Sequence, residues 1–425
     1  MKYFRLLVLG NGISAYGSYL NMVALNVFVY DATGSALAAG LFMAVRLATS
    51  VVSGWISGRL VSVHDRKRLM VGADLCQAVA LLSLLLAPDG VRPGLLYVLA
   101  VVTGGCSTLS QVALRSSIPE IVGAEHRVRA NGLLVTGRSL AMIAGFASSG
   151  LVVAQFGYSA AFALDAATFL VSATVLFLLP VRTRAADDPA DGGPRAAGSG
   201  PARWTVRVLL GTAPLLMAMI AVRAVDGLGS SSHNVALPLY SSSLDPDHPA
   251  TFISQFWATW AIGNIVAQQA IGRVTRKAGR TPGERAFALG AIVMSAGFIV
   301  VFSGLPTVPA AIAALVAGAA DGFTETVYVS RLQSAPDEQR GRLFGLSASA
   351  ENTGFGLGML VSGALLERFS PLAVVAAFHG LAIVLCAALL LLLTLRRRRT
   401  PAPRADGPDG PAGPDRSAVT EGHGR

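Results

Sequence analysis

Apolar stretches of about twenty residues, the length needed to cross the roughly 30 Å hydrocarbon core of a bilayer, alternate with short polar connections along the first 395 positions. They occupy 6–30, 38–61, 69–87, 95–114, 133–155, 160–180, 208–230, 252–271, 286–305, 309–330, 343–366 and 372–395. The pattern predicts an all-α membrane protein with twelve transmembrane helices. Charge then fixes its orientation. Of the 34 Lys and Arg residues, 29 fall at the two ends, in every second connection or, for Arg59, at the edge of one. The remaining connections hold only Arg92 and Arg368, and Arg46, Arg138 and Arg223 lie inside spans. Basic connections stay on the cytoplasmic side, so both termini are expected there, in a multi-pass protein of the inner (plasma) membrane.

Composition sharpens this reading. Soluble domains are about 45–50% apolar and about 25% charged, whereas this chain of 425 residues is 53% and 14%. A formal charge of +10 in a soluble protein would point to nucleic acid. Here the one-sided loops account for it, and no aromatic interleaving for base stacking accompanies it. Cys76, Cys106 and Cys386 all lie in apolar spans, which argues against a disulfide framework or a metal site. The lysines at 2, 67 and 277 follow no glycine, so there is no Walker A loop and no route to ATP chemistry. No cofactor and no enzymatic activity are expected. Lys2 and Arg5 ahead of an apolar run resemble a secretory signal, but removing that span would invert the whole charge alternation.

The chain also repeats itself at an offset near 213 residues. Arg127-x-Arg129-x-x-Gly132-Leu133 returns as Arg340-x-Arg342-x-x-Gly345-Leu346, and Gly145 and Gly150 return as Gly358 and Gly363. Ile118-Pro119-Glu120 is echoed by Ala335-Pro336-Asp337, and Gly58-Arg59-Leu60 by Gly272-Arg273-Val274. A same-orientation repeat of six helices implies two bundles related by an axis along the membrane normal. The expected organisation is a bundle over 1–180, a cytoplasmic linker over 181–207, a second bundle over 208–395 and a disordered tail over 396–425. Linker and tail are rich in Pro, Gly, Ala and Asp, which cannot bury a core.

These residues resemble the major facilitator superfamily, and within it the bacterial drug, macrolide and enterobactin efflux branch. The likeness rests on Tyr30-Asp31-Ala32-Thr33-Gly34-Ser35-Ala36, on Phe162 to Ala173 in the sixth span, and on the loop motif Gly58, Leu60, Arg66, Lys67 and Arg68. The motif's usual acidic residue is Ser62 here, with Asp65 the nearest carboxylate, and the proline of the fifth-helix glycine motif is Phe146. The resemblance implies alternating access about a midplane cavity that takes a small-molecule substrate, and export of an amphipathic drug, siderophore or natural product driven by protons. It also implies a conformational role for Gly58, Asp65, Arg66 and Arg68. A monomer in the lipid bilayer is expected. Uptake of a small solute, or a non-transporting scaffold of the same fold, are the competing readings.

Ionisable groups inside spans cost about 2.5–3.5 kcal/mol on insertion scales and are functional candidates for that reason. Asp321 and Glu325 are four apart, hence on one helical face; they either couple to protons or are neutralised in a structural network by Arg331 or another cytoplasmic-end arginine. Arg223 and Asp226, three apart, form either a static pair or one that opens to a proton or cationic substrate. Arg138 and Glu351 are repeat equivalents of opposite charge. Arg46 has no acidic neighbour in sequence and either binds an anion or pairs with a carboxylate of the other half. Asn21, Asn26, Asn264 and Gln268 offer polar groups to a cavity, and Trp257 either packs there or anchors an interface. Small residues four apart, such as Ala141/Gly145 and Gly354/Gly358, let helices approach closely.

Overall fold

In lipid every backbone polar group must be satisfied internally, so apolar spans become helices. The computed structural model describes residues 2–88, 90–123, 127–179, 206–278 and 282–399, and all of its regular structure is helical. In chain order the helices are α1 (Lys2–Thr33), α2 (Ala36–Val63), α3 (Arg66–Leu86), α4 (Arg92–Val122), α5 (Arg127–Leu178) and α6 (Val206–Thr212). They continue with α7 (Pro214–Leu244), α8 (Pro249–Ala278), α9 (Glu284–Val301), α10 (Thr307–Gln333), α11 (Asp337–Leu366) and α12 (Pro371–Arg399). The linker stretch 181–205 and the tail stretch 400–425 lie outside the described residues.

α5 comprises two of the twelve membrane-crossing limbs. At Gly157 the backbone takes φ 76° and ψ 176°, a left-handed φ that glycine adopts without steric cost. Neighbours show that the chain reverses there. Before Gly157, Gly137 meets Val8 and Gly145 meets Tyr16; after it, Thr168 meets Gly17 and Val175 meets Gly10. The first limb therefore runs parallel to α1 and the second antiparallel. The other ten limbs are α1–α4 and α7–α12.

Among the described residues, eight helices, α2–α5, α7, α9, α10 and α12, contain stretches long and apolar enough to cross a membrane. α1, α8 and α11 also run to 32, 30 and 30 residues, but they carry the interior polar groups described below. Local chemistry fixes several starts. The Ser35 hydroxyl accepts from the Ala38 N–H at 3.2 Å at the head of α2, and the Asp65 carboxylate accepts from the Arg68 N–H at 3.1 Å at the head of α3. Pro214, Pro249 and Pro371 open their helices, where a missing N–H costs nothing.

The seventh span departs from its expected bounds of 208–230. Residues 206–212 form the separate α6, and α7 extends fourteen residues past Ser230 to Leu244. The run Ser230-Ser231-Ser232-His233-Asn234, followed by Pro238, has the composition of a loop. It stays helical because its polar groups are satisfied inside the bundle. Ser231 donates to Leu228 O and Ser232 to Gly229 O, both at 2.6 Å, Asn234 donates to Ser230 O at 2.8 Å, and His233 meets His379 at 3.2 Å.

Within the first half α1 packs on α5, α2 on α4, and α3 on α4 and α5; within the second α7 packs on α11 and α12, α8 on α10, and α9 on α10 and α12. The same pairings occur at equivalent places, as the internal repeat requires. The halves meet chiefly through α2 with α11 and α5 with α8. There a Cβ on Gly40 would lie 2.5 Å from Met359 O, and one on Gly150 would lie 2.9 Å from the Thr251 Cα. All of these positions belong to the end of the molecule that carries the α1–α2 turn. By contrast, the sequence-spaced Gly145, Gly318, Gly322, Gly354 and Gly358 press against helices of their own half.

Candidate functional site

A charged cluster sits inside the second half. Arg223 of α7 donates to Asp226 at 2.8 Å and to Glu325 of α10 at 2.6 Å, and its guanidinium lies 3.8 Å from Glu351 of α11. The guanidinium also stands 5.5 Å above the Tyr328 ring, within cation–π range. Tyr328 hydrogen-bonds Ser347 at 2.6 Å, and the Ser347 hydroxyl donates to Glu351 at 2.6 Å. Three helices thus converge on one cation. Side-chain exposure grades the cluster from Asp226 at 7% through Glu351 at 31% to Glu325 at 41%.

Asp321 takes a different partner. It accepts from Asn264 of α8 at 3.1 Å, and Gln268 donates to Asn264 at 2.8 Å, giving a polar ladder between α8 and α10. Arg331 neutralises neither carboxylate of α10, because it pairs with Glu284 of α9. Asp321, Glu325 and Tyr328 recur at helical spacing on α10. That spacing would have added Tyr328 to the candidates, whereas nothing in it identifies Ser347.

The first half encloses a cavity of about 630 Å³, within the usual size range of small-molecule sites. Arg46 of α2, Arg115 of α4 and Arg138 of α5 line it together with Asp74 of α3 and Asp165 of α5. Asp165 accepts from Asn21 at 2.8 Å. Arg138 donates to the Tyr19 hydroxyl at 2.9 Å and to Gln111 at 2.8 Å. It therefore lies in this cavity, bonded to the neighbouring helices α1 and α4. Arg46 lies within electrostatic reach of Asp165, a carboxylate of its own half. Asn26 is buried in α1 away from the cavity lining. Serines and threonines at 14, 18, 103, 107, 110 and 172 complete the polar lining; with Asn11 and Asn21, the α1 and α4 positions recur at helical spacing, a signal present in the sequence.

Trp257 of α8 stacks on Phe146 of α5 at 5.6 Å and 30°. The residue standing in place of the motif proline is thus an aromatic contact between the halves. Behind Trp257, His233 and His379 stack at 5.4 Å, and His233 lies on Phe298 at 4.1 Å. In the loop motif, Asp65 caps α3 while Arg66 donates to Ser116 O and Lys67 to Leu179 O, both at 2.7 Å. Arg68 is exposed, and the side-chain surroundings of Gly58 lie outside the described residues.

Two related bundles of membrane-crossing helices, the first with a polar cavity and the second with a part-buried ionic cluster, have the makings of a membrane transporter. The chain belongs to the Major Facilitator Superfamily, whose family model matches residues 7–335 and 285–420. Among curated proteins it is 25% identical over 385 residues to the multidrug efflux pump Tap of Mycolicibacterium fortuitum, covering 88% of this chain and 90% of that one. It is also 28% identical over 169 residues to the uncharacterized transporter YfiS of Bacillus subtilis, a match spanning 40% of each chain. The fold is similar to that of the nucleoside transporter NupG, with a TM-score of 0.73 and 14% identity over 92% of this chain and 99% of that one. It is similar as well to the peptide transporter POT in complex with sulfate, with a TM-score of 0.70 and 16% identity over 93% and 95%. A bacterial homologue of the iron transporter ferroportin in its inward-facing state gives 0.66 and 16% over 91% and 98%.

Proposed function

We propose that this transporter exports a small amphipathic organic compound in exchange for protons, by alternating access between bundles 1–180 and 208–395. The observation carrying this reading is the sharing of Arg223 by Asp226, Glu325 and Glu351. One guanidinium cannot neutralise three carboxylates. A proton delivered to this cluster would relieve the excess negative charge. Asp321, a turn of α10 away on the Asn264–Gln268 ladder, is a second acceptor in the same half. Contact of α2 with α11 and of α5 with α8 at the α1–α2 end fits a state closed on that side and open on the other. With both termini cytoplasmic in the plasma membrane, as the loop charges require, the open side is the interior and the protein, acting as a monomer, awaits outward cargo. Similarity to the multidrug pump Tap supports export.

Inverted membrane vesicles test this reading. Substrate accumulation driven by an imposed proton gradient should collapse with an uncoupler and fall at least about tenfold in Asp226→Asn, a loss equivalent to about 1.4 kcal/mol. Uncoupler-resistant accumulation, or unchanged transport in both Asp226→Asn and Asp321→Asn, would remove the proton step.

A further inference from the structure

Arg46 differs from the interior cations Arg223 and Arg138, while Arg115, which also lines the cavity with no hydrogen bond or ion pair among the described residues, is solvent-exposed. Arg223 has three carboxylates, and Arg138 has Tyr19 and Gln111. Arg46 lines the 630 Å³ cavity with no hydrogen bond or ion pair from any described residue. Asp165 is the carboxylate within electrostatic reach of it, and each Asp165 oxygen already accepts one hydrogen bond, from Asn21 at 2.8 Å and from Thr168 at 3.4 Å. The three arginines and two aspartates on the wall leave a net positive charge inside the first bundle. An arginine there carries five N–H donors and no acceptor, and its planar fork matches a carboxylate or phosphate with two parallel hydrogen bonds.

Resting on the transport reading above, we propose that this cavity is an organic-anion site. Arg46 receives the anionic group, and Arg138, already oriented by Tyr19 and Gln111, faces the far end of the ligand. The apolar stretch of wall formed by Met22, Leu25 and Phe169 takes the hydrophobic body. The shared chemistry is a carboxylate, phenolate or phosphate on an aromatic or aliphatic frame. Such a ligand supplies the acceptors Arg46 lacks and cancels the excess charge. An amphipathic cation would set its charge against three guanidinium groups.

The full chain in lipid nanodiscs, dialysed at equilibrium with no gradient, tests this directly. Fluorescein, an anion, and a cationic rhodamine ester share one aromatic frame and differ in charge sign. Fluorescein is expected to bind above the empty-nanodisc background and to be displaced by excess salicylate, with the rhodamine ester bound at least about tenfold more weakly. Arg46→Gln should weaken fluorescein binding by about tenfold to a hundredfold, the range for one charged hydrogen-bonding group. Arg46→Lys, which keeps the charge, should retain more binding than Arg46→Gln. Equal binding of both dyes, binding of neither, or unchanged affinity in a well-folded Arg46→Gln protein would overturn the proposal. Proton coupling plays no part in this assay, so its failure in vesicles and the failure of this site are separately visible.

Discussion

Arg223 makes sense only through the three side chains around it. Its pairing with Asp226 is legible from their spacing, since residues three apart meet on a helix. The addition of Glu325 and Glu351 is not legible, because sequence spacing says nothing about which face of α7 meets α10 and α11. The same limit separates Asp321 from Glu325: four apart on one helix, they bond to α8 and α7 respectively. Arg138 and Glu351 are equivalent in the repeat and yet serve different bundles. Removing one partner of a buried pair leaves an uncompensated charge, at a cost of about 3–5 kcal/mol. Arg223→Gln should therefore lower stability by about that much, and adding Asp226→Asn should recover part of the loss. Glu325→Gln should cost under about 1 kcal/mol, because that carboxyl is 41% exposed to solvent. Denaturant unfolding in detergent, followed by circular dichroism, measures all three.

Helices were legible wherever apolar length alone decides. The seventh failed because its second half is polar in composition and is made helical by bonds to its own carbonyls and to α12. The internal repeat contained the correction, since α1 shifted by the repeat offset falls on α7 rather than on 208–230. Contacts between elements make sharper demands. A Cβ on Gly40 meets the Met359 carbonyl at 2.5 Å, while one on Gly54 finds only Thr108 at 3.9 Å. Gly40→Val should abolish transport with the protein still inserted, and Gly54→Ala should leave transport within about twofold. At the same end Glu367, at the close of α11, accepts from the Ser35 hydroxyl at 2.7 Å and the Leu37 N–H at 3.1 Å at the head of α2. The Ser35 hydrogen bond first, and the backbone N–H groups after it, hold this carboxyl below its ordinary 4.5. The contact is complete above 4.5 and is lost only as pH falls through the lowered value. Spin labels at Ala32 and Ser370 should thus keep one short distance from neutral to mildly acidic pH, lengthening in Glu367→Ala or in strong acid.

At the scale of the molecule, orientation is what the loop charges encode most directly, and it is open to a simple test. In a background lacking Cys76, Cys106 and Cys386, thiols placed at His64 and Gly90 lie at opposite ends of α3. An impermeant maleimide should label Gly90→Cys in intact cells and His64→Cys only after permeabilisation; the reverse pattern would invert the export direction. The position of the cavity was not legible in this way, because it is assembled from all six limbs of the first bundle. One further property of that bundle follows from Gly157. A single residue joins the two limbs of α5, leaving no slack in the tether. The limb that touches α8 across the midline cannot tilt without dragging the limb that carries Asp165. A shift of the α5–α8 contact would therefore be passed to the cavity wall that carries Asp165.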